Sequence, residues 1–157
     1  MARHKAPIRY KFRKLWTYYI WQSLLAGIAL FIIVLALGKD QMVLISAMGA
    51  TAFIVFALPT TESAQTRNVI GGHLVGLVCG SIFFYIPLPY YVEYPLVVSI
   101  AVFIMVAFDF EHPPAAGTAL AVVINKVTLN VFATVMIGAV VLSQCRYFLR
   151  RHLKDLI

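Results

Sequence analysis

Asp109-Phe110-Glu111-His112-Pro113-Pro114-Ala115-Ala116-Gly117-Thr118 sets two carboxylates, an imidazole, two adjacent prolines and a run of small residues in the middle of a sequence that is otherwise close to hydrocarbon. Ionisable residues at bilayer depth cost about 2.5–3.5 kcal/mol each on insertion scales, so they face a protein interior or a watery cavity. The stretch is therefore either a functional site inside the membrane or a polar turn at its surface, where nothing is desolvated. The prolines speak for a helix start, because Pro113 and Pro114 fit the first helical positions, where a missing N–H matters least. A short helix of small and β-branched residues follows, from Ala115 to Ile124. Its first amides, on Ala115, Ala116 and Gly117, are then free donors at a terminus carrying about half a positive charge. Such a start suits a small anion.

Outward from this stretch, the composition decides the class. Of 157 residues, 62% are hydrophobic and only 12% charged, against about 25% charged in soluble domains. The chain reads as a single integral membrane domain. Its net charge of +7 sits mostly at the two ends, in Arg3, Lys5, Arg9, Lys11, Arg13 and Lys14, then Arg146, Arg150, Arg151 and Lys154. Basic clusters flanking apolar spans are what the positive-inside rule produces, and no soluble fold is left over to hold nucleic acid. Cys79 and Cys145 lie in apolar stretches and read as buried, inert thiols. The sequence calls for no cofactor and no metal.

Residues 1–17 form a basic leader edged by Trp16, Tyr18, Tyr19 and Trp21, aromatics of the kind that settle at headgroup level. The run Tyr18 to Leu37 is near the ~20 residues that span a bilayer, and longer than a signal-peptide core. The leader lacks serine before Ser23 and is short, which argues against a transit peptide. Further apolar segments run over Met42–Leu58, Val69–Ile86, Leu96–Phe108, Ala115–Ile124 and Val131–Leu149, and residues 150–157 form a basic tail. With both ends cytoplasmic, the number of crossings is even. Either six segments cross, or four full spans enclose two re-entrant ones; the arginine-free loop around Glu93 favours six.

A repeat lies in this order. Ala47-Met48-Gly49-Ala50-Thr51-Ala52-Phe53-Ile54-Val55 aligns with Ala115-Ala116-Gly117-Thr118-Ala119-Leu120-Ala121-Val122-Val123, each copy preceded and followed by an apolar span. The fold expected is an all-α, polytopic membrane bundle of two three-segment repeats, 18–86 and 95–149, with short or broken helices, of which Gly49 marks one start. If each unit crosses an odd number of times, the halves are oppositely oriented, as in many transporters whose broken helices aim their N-termini at anions near the midplane.

Two motifs carry a family resemblance: Ala64-Gln65-Thr66-Arg67-Asn68-Val69-Ile70-Gly71-Gly72-His73, then His112-Pro113-Pro114-Ala115-Ala116-Gly117-Thr118-Ala119. Together they resemble the HPP family of small integral membrane proteins, and the resemblance covers Trp21 to Leu149. It implies a four-helix-type membrane protein and, from plant plastid and cyanobacterial members, nitrite transport. Some bacterial members add a CBS domain, which is not expected within these 157 residues. Arg67, Asn68, Gly71, Gly72 and His73 match the first motif, and His112, Pro113, Pro114, Gly117 and Thr118 the second. Thr66 stands where the family more often has proline.

The function expected is a transporter or channel for a small inorganic anion, nitrite before others. Arg67 supplies a fixed positive charge and the amides after Pro114 supply neutral donors, while His73 and His112 provide hydrogen bonds and couple passage to protons. Asp109 and Glu111 repel anions, so they are expected to pair with Arg67 or Lys126 or to face the surface. The alternatives are a proton or cation pathway built on Asp109, Glu111, His112 and His73, and a structural or sensory module without transport. No HExxH, no GxSxG and no cysteine ligand set is present, so an enzyme is not expected. The expected setting is the cell's inner (plasma) membrane, or a plastid envelope if the chain derives from a larger precursor. So small a bundle is expected to form a homo-oligomer, with Gly27, Gly76, Gly80 and Gly138 on candidate packing faces.

Overall fold

The apolar runs become helices, because in a bilayer a segment satisfies its backbone polar groups only within itself. A computed structural model describes residues 8–126 and 128–157, with side chains from Arg13 onward. The helices are α1 (Ile8–Leu37), α2 (Met42–Ala57), α3 (Thr66–Phe83), α4 (Tyr90–Ala107), α5 (Pro114–Asn125) and α6 (Leu129–Leu149), with a single 3-10 turn at Glu62–Ala64. No strand occurs among the described residues. Arg3 and Lys5 of the expected leader lie outside them.

Most boundaries fall close to the apolar runs, but two helices start earlier: α1 at Ile8, taking in much of the basic leader ahead of Tyr18, and α4. Pro95 was expected to lie in the loop before this span, but the helix begins at Tyr90 and holds Pro95 inside it. Pro89 is the N-cap and its carbonyl accepts from both Val92 and Glu93, so the first turn is already closed when the missing N–H of Pro95 arrives. α4 is thereby a full 18 residues. By length and composition, residues 13–37, α4 and α6 can each cross a membrane. α3 is as long as α4, yet it carries Arg67, Asn68, His73 and glycines at 71, 72, 76 and 80, the mark of a helix enclosed by protein rather than lipid.

The chain reverses at each connection. Tyr19 donates to the carbonyl of Leu156 at 3.2 Å, and the Gln22 amide donates to the carbonyls of Phe56 and Lys154. The part of α1 around Tyr19 and Gln22, the end of α2 and the tail after α6 therefore share one end of the bundle. Arg67 reaches Phe108 and Asp109, so the start of α3 and the end of α4 are there too. Asn125 bonds Gln41 at the opposite end, where Lys126 lies over the ring of Phe84. The first end carries Arg67, Arg146, Arg150, Arg151 and Lys154; the second carries Lys39 and Lys126.

The main helix pairings are α3 with α5, α6 and α4; α2 with α1, α5 and α6; α4 with α5; and α1 with α6. Exchanging α1 with α4, α2 with α5 and α3 with α6 maps this set onto itself. Two apolar clusters fill the bundle, each drawing on both halves of the chain. One gathers Leu44, Met48, Val55, Leu77, Val135 and Leu142, and the other gathers Phe83, Val97, Ala101, Ala115 and Ala119. Of the glycines proposed for packing, Gly76 and Gly80 meet the α5 backbone and Gly138 meets Met48, all within the chain, while Gly27 has nothing near it.

Candidate functional site

The descent from α4 into α5 builds the site. α4 ends with Asp109 in the left-handed region at φ 61°. Phe110 N bonds Met105 O at 2.8 Å and Asp109 N bonds Val106 O at 3.3 Å, the paired bonds of a Schellman stop. The backbone then turns inward, and His112 arrives buried, at 1% exposure. Pro113 caps α5 and Pro114 takes its first turn, as expected. Gly72 makes room for this descent, since a Cβ there would meet the Cβ of His112 at 2.6 Å. Gly76 lies so close to the carbonyl of Ala115 that a side chain would have to displace backbone.

His112 and His73 meet across one hydroxyl. Thr51 Oγ1 lies 2.8 Å from His73 Nε2 and 3.0 Å from His112 Nε2, and the two rings are 5.0 Å apart. His73 Nδ1 lies 2.9 Å from Thr118 Oγ1, and His112 Nδ1 lies 2.7 Å from the carbonyl of Ser63. His73, Thr51 and Thr118 are fully buried. Thr51 is six residues from the end of α2, so the cluster lies about 9 Å below that end at 1.5 Å per residue.

With both rings neutral, proton counting gives one set of directions that leaves no ring nitrogen unpaired. A carbonyl only accepts, so His112 Nδ1 carries a hydrogen, and in the neutral ring Nε2 is then an acceptor. The single hydrogen of Thr51 goes to it. His73 must therefore donate from Nε2 to Thr51, and its Nδ1 accepts from Thr118. One consistent chain results, from Thr118 through His73, Thr51 and His112 to Ser63. Thr51 has a second acceptor, the carbonyl of Ala47 at 3.0 Å. When a proton is added to His112 Nε2, the Thr51 hydroxyl turns to Ala47 and every polar group stays paired.

No carboxylate lies within ion-pairing distance of either imidazole among the described residues. Asp109 pairs instead with Arg67 at 3.1 Å, with the two side chains 75% and 58% exposed, and the guanidinium lies 5.1 Å over Phe110. Glu111 is exposed. The expected pairing of Asp109 with Arg67 is thus present, and neither acid joins the histidines. Asn68 is buried near the start of α3 and Gly71 meets the ring of Phe110, while Gly49, expected at a helix start, lies in the middle of α2 and meets Leu30 on α1.

Two of the three amides expected free at the α5 start, those of Ala115 and Ala116, are already bonded. Ala115 N bonds His112 O at 2.9 Å and Ala116 N bonds Pro113 O at 3.2 Å, because the turn begins at His112 and closes on itself. What the sequence left unseen is Thr51 and the Ser63 carbonyl. Thr51 had one signal, as a hydroxyl in a helix that, Ser46 apart, is apolar, where a buried polar group must find a partner. A groove of about 210 Å³, lined by Met105, Glu111, His112, Pro113 and Ala116 among others, reaches the site from the α4 side. The described residues hold no metal-ligand cluster.

Comparison with known proteins places the chain. Residues 11–154 match the transmembrane region of the HPP family. A transmembrane protein of Dictyostelium discoideum is 36% identical over 89 residues, which cover 54% of this chain and 31% of that protein. A second from the same organism is 30% identical over 129 residues, covering 77% of this chain and 40% of its own length. The chain thus spans less than half the length of these relatives. No solved structure matches it.

Proposed function

The chain belongs to the HPP family of transmembrane proteins, and from that premise we propose that it carries a small inorganic anion, nitrite before others, together with a proton. The observation that carries the reading is the pair of buried histidines sharing the Thr51 hydroxyl with no carboxylate at hand. A proton taken up by His112 leaves a buried positive charge, and such a charge is costly unless paired. An accompanying anion pairs it, so proton and anion enter together more easily than either alone. Nitrite comes from the family resemblance of the two motifs. Arg67, at the exposed end and half-committed to Asp109, draws anions to the mouth rather than holding them at depth.

The exchange-invariant helix pairing and the alternating helix directions support an inverted repeat, α1–α3 against α4–α6. Carriers of this plan rock one half against the other around a fixed site, and here the site lies where α2, α3 and α5 meet. The reading is of a non-enzymatic protein of the cell's inner membrane, with its basic end in the cytoplasm, acting as a homo-oligomer.

The test is nitrite uptake by proteoliposomes with and without an acid-outside pH gradient. The gradient should accelerate uptake, and Thr51→Val, which keeps the shape and removes the hydroxyl, should reduce gradient-driven uptake about 100-fold, the lower range for a positioned proton-transfer group. Uptake indifferent to both would refute the reading. A second reading, a proton pathway without an anion, is favoured by the occupied amides of Ala115 and Ala116. It predicts that a pH gradient collapses at the same rate with nitrite, nitrate or no permeant anion present.

A further inference from the structure

We propose that the seam between α1 and α6 binds one anionic phospholipid, with its headgroup at the Arg151 end and one acyl chain in the groove beneath. Two cavities adjoin along this seam and share Leu149. The outer one, about 560 Å³, is edged by Tyr18, Trp21, Arg151 and His152. The inner one, about 230 Å³, is walled almost wholly by hydrocarbon, including Leu25, Ala29 and Ala36 of α1 and Ile137 and Val141 of α6.

The dimensions choose the occupant. From Leu25 to Ala36 the groove follows α1 for about 17 Å at 1.5 Å per residue, starting about 6 Å below Trp21 and running past the bilayer midplane. A volume of about 230 Å³ spread along that length leaves a slot much narrower than a helix, which is about 10 Å across with its side chains. It takes a single hydrocarbon chain rather than a second copy of the protein.

Charge chooses the headgroup. Arg150, Arg151 and Lys154 are exposed at this end, with Lys154 over the ring of Tyr18 at 4.5 Å and Arg150 over Tyr147 at 5.0 Å. The nearby acid, Asp155, is turned away and bonded to the backbone N and hydroxyl of Thr60. Tyr18 and Trp21 are aromatics of the headgroup level. An acidic headgroup is held there and a zwitterionic one is not favoured.

Native mass spectrometry of the full chain, released from mixed micelles with equal phosphatidylglycerol and phosphatidylcholine, tests this. Phosphatidylglycerol should be retained in preference. Arg151→Gln should cut that preference about fivefold, the attraction one basic side chain adds at an anionic surface, and Ala29→Phe should expel both lipids by filling the groove. Should Ala29→Phe fail to fold, Trp16→Phe leaves Trp21 as the sole tryptophan, and brominated phosphatidylglycerol should quench it more strongly than brominated phosphatidylcholine. Equal retention or equal quenching of the two lipids overturns the proposal. So does lipid retention that Ala29→Phe leaves unchanged, and so does a dimer that Ala29→Phe dissolves, which would give the seam to a second copy.

Discussion

A single hydroxyl, that of Thr51, is the hinge of the buried polar chain, and its neighbours depend on it in sequence. Thr118 closes the other end by donating to His73 Nδ1. Thr118→Val keeps the shape but leaves that nitrogen unsatisfied inside the bundle, and a stranded buried acceptor costs about 1–3 kcal/mol. Thermal unfolding in detergent should show a loss of that size, with Thr118→Ser close to the parent. His73, His112 and Thr118 were legible as site residues because each belongs to a motif. Thr51 was not, since positions 51, 73 and 112 become neighbours only when three helices pack, and nothing local in α2 records that meeting. Arg67 was expected to supply a fixed positive charge and to pair with Asp109; the pair is present and lies at the rim, where a guanidinium with solvent in reach contributes about 0–1 kcal/mol.

At the scale of elements, the contact of α3 with α5 sets the depth of the site. Gly76 lets the two backbones touch, and Gly76→Ala places a methyl group against the carbonyl of Ala115. Overpacking of this kind costs about 1–3 kcal/mol, and here it also lifts the α5 start away from Thr51. Gly117, equally prominent in the sequence, meets only the Cβ of Ala47 at an ordinary 3.5 Å. Gly117→Ala should be neutral or stabilising by up to about 1 kcal/mol, through the better helix propensity of alanine. Melting temperatures of the two variants, measured side by side, check the contrast. The helices themselves were legible from their apolar runs, because length and hydropathy are local. The start of α4 was misplaced because Pro95 reads as a stop, although Pro89 had already closed the first turn.

For the whole molecule, the basic end and the alternating helix directions give an orientation that labelling can read. With Cys79 and Cys145 replaced by alanine, a membrane-impermeant thiol reagent should label Lys39→Cys in intact cells and Glu62→Cys only after permeabilisation. Equal access to both would break the alternation. The half-repeat in sequence, 47–55 against 115–123, sets α2 beside α5; that every main helix pairing has a counterpart is a property of packing and is not read from the sequence. One detail of the site reaches furthest. His112 Nδ1 is tied to a peptide carbonyl, and a carbonyl does not take up a proton, so the chain of hydrogen bonds is closed at that end. A proton lodged on His112 Nε2 leaves from that same nitrogen, to whichever side the site is then open. Electrically, such a site holds a charge and does not conduct one: voltage-clamped bilayers containing the protein should show no unitary current steps, and flux should saturate with driving force.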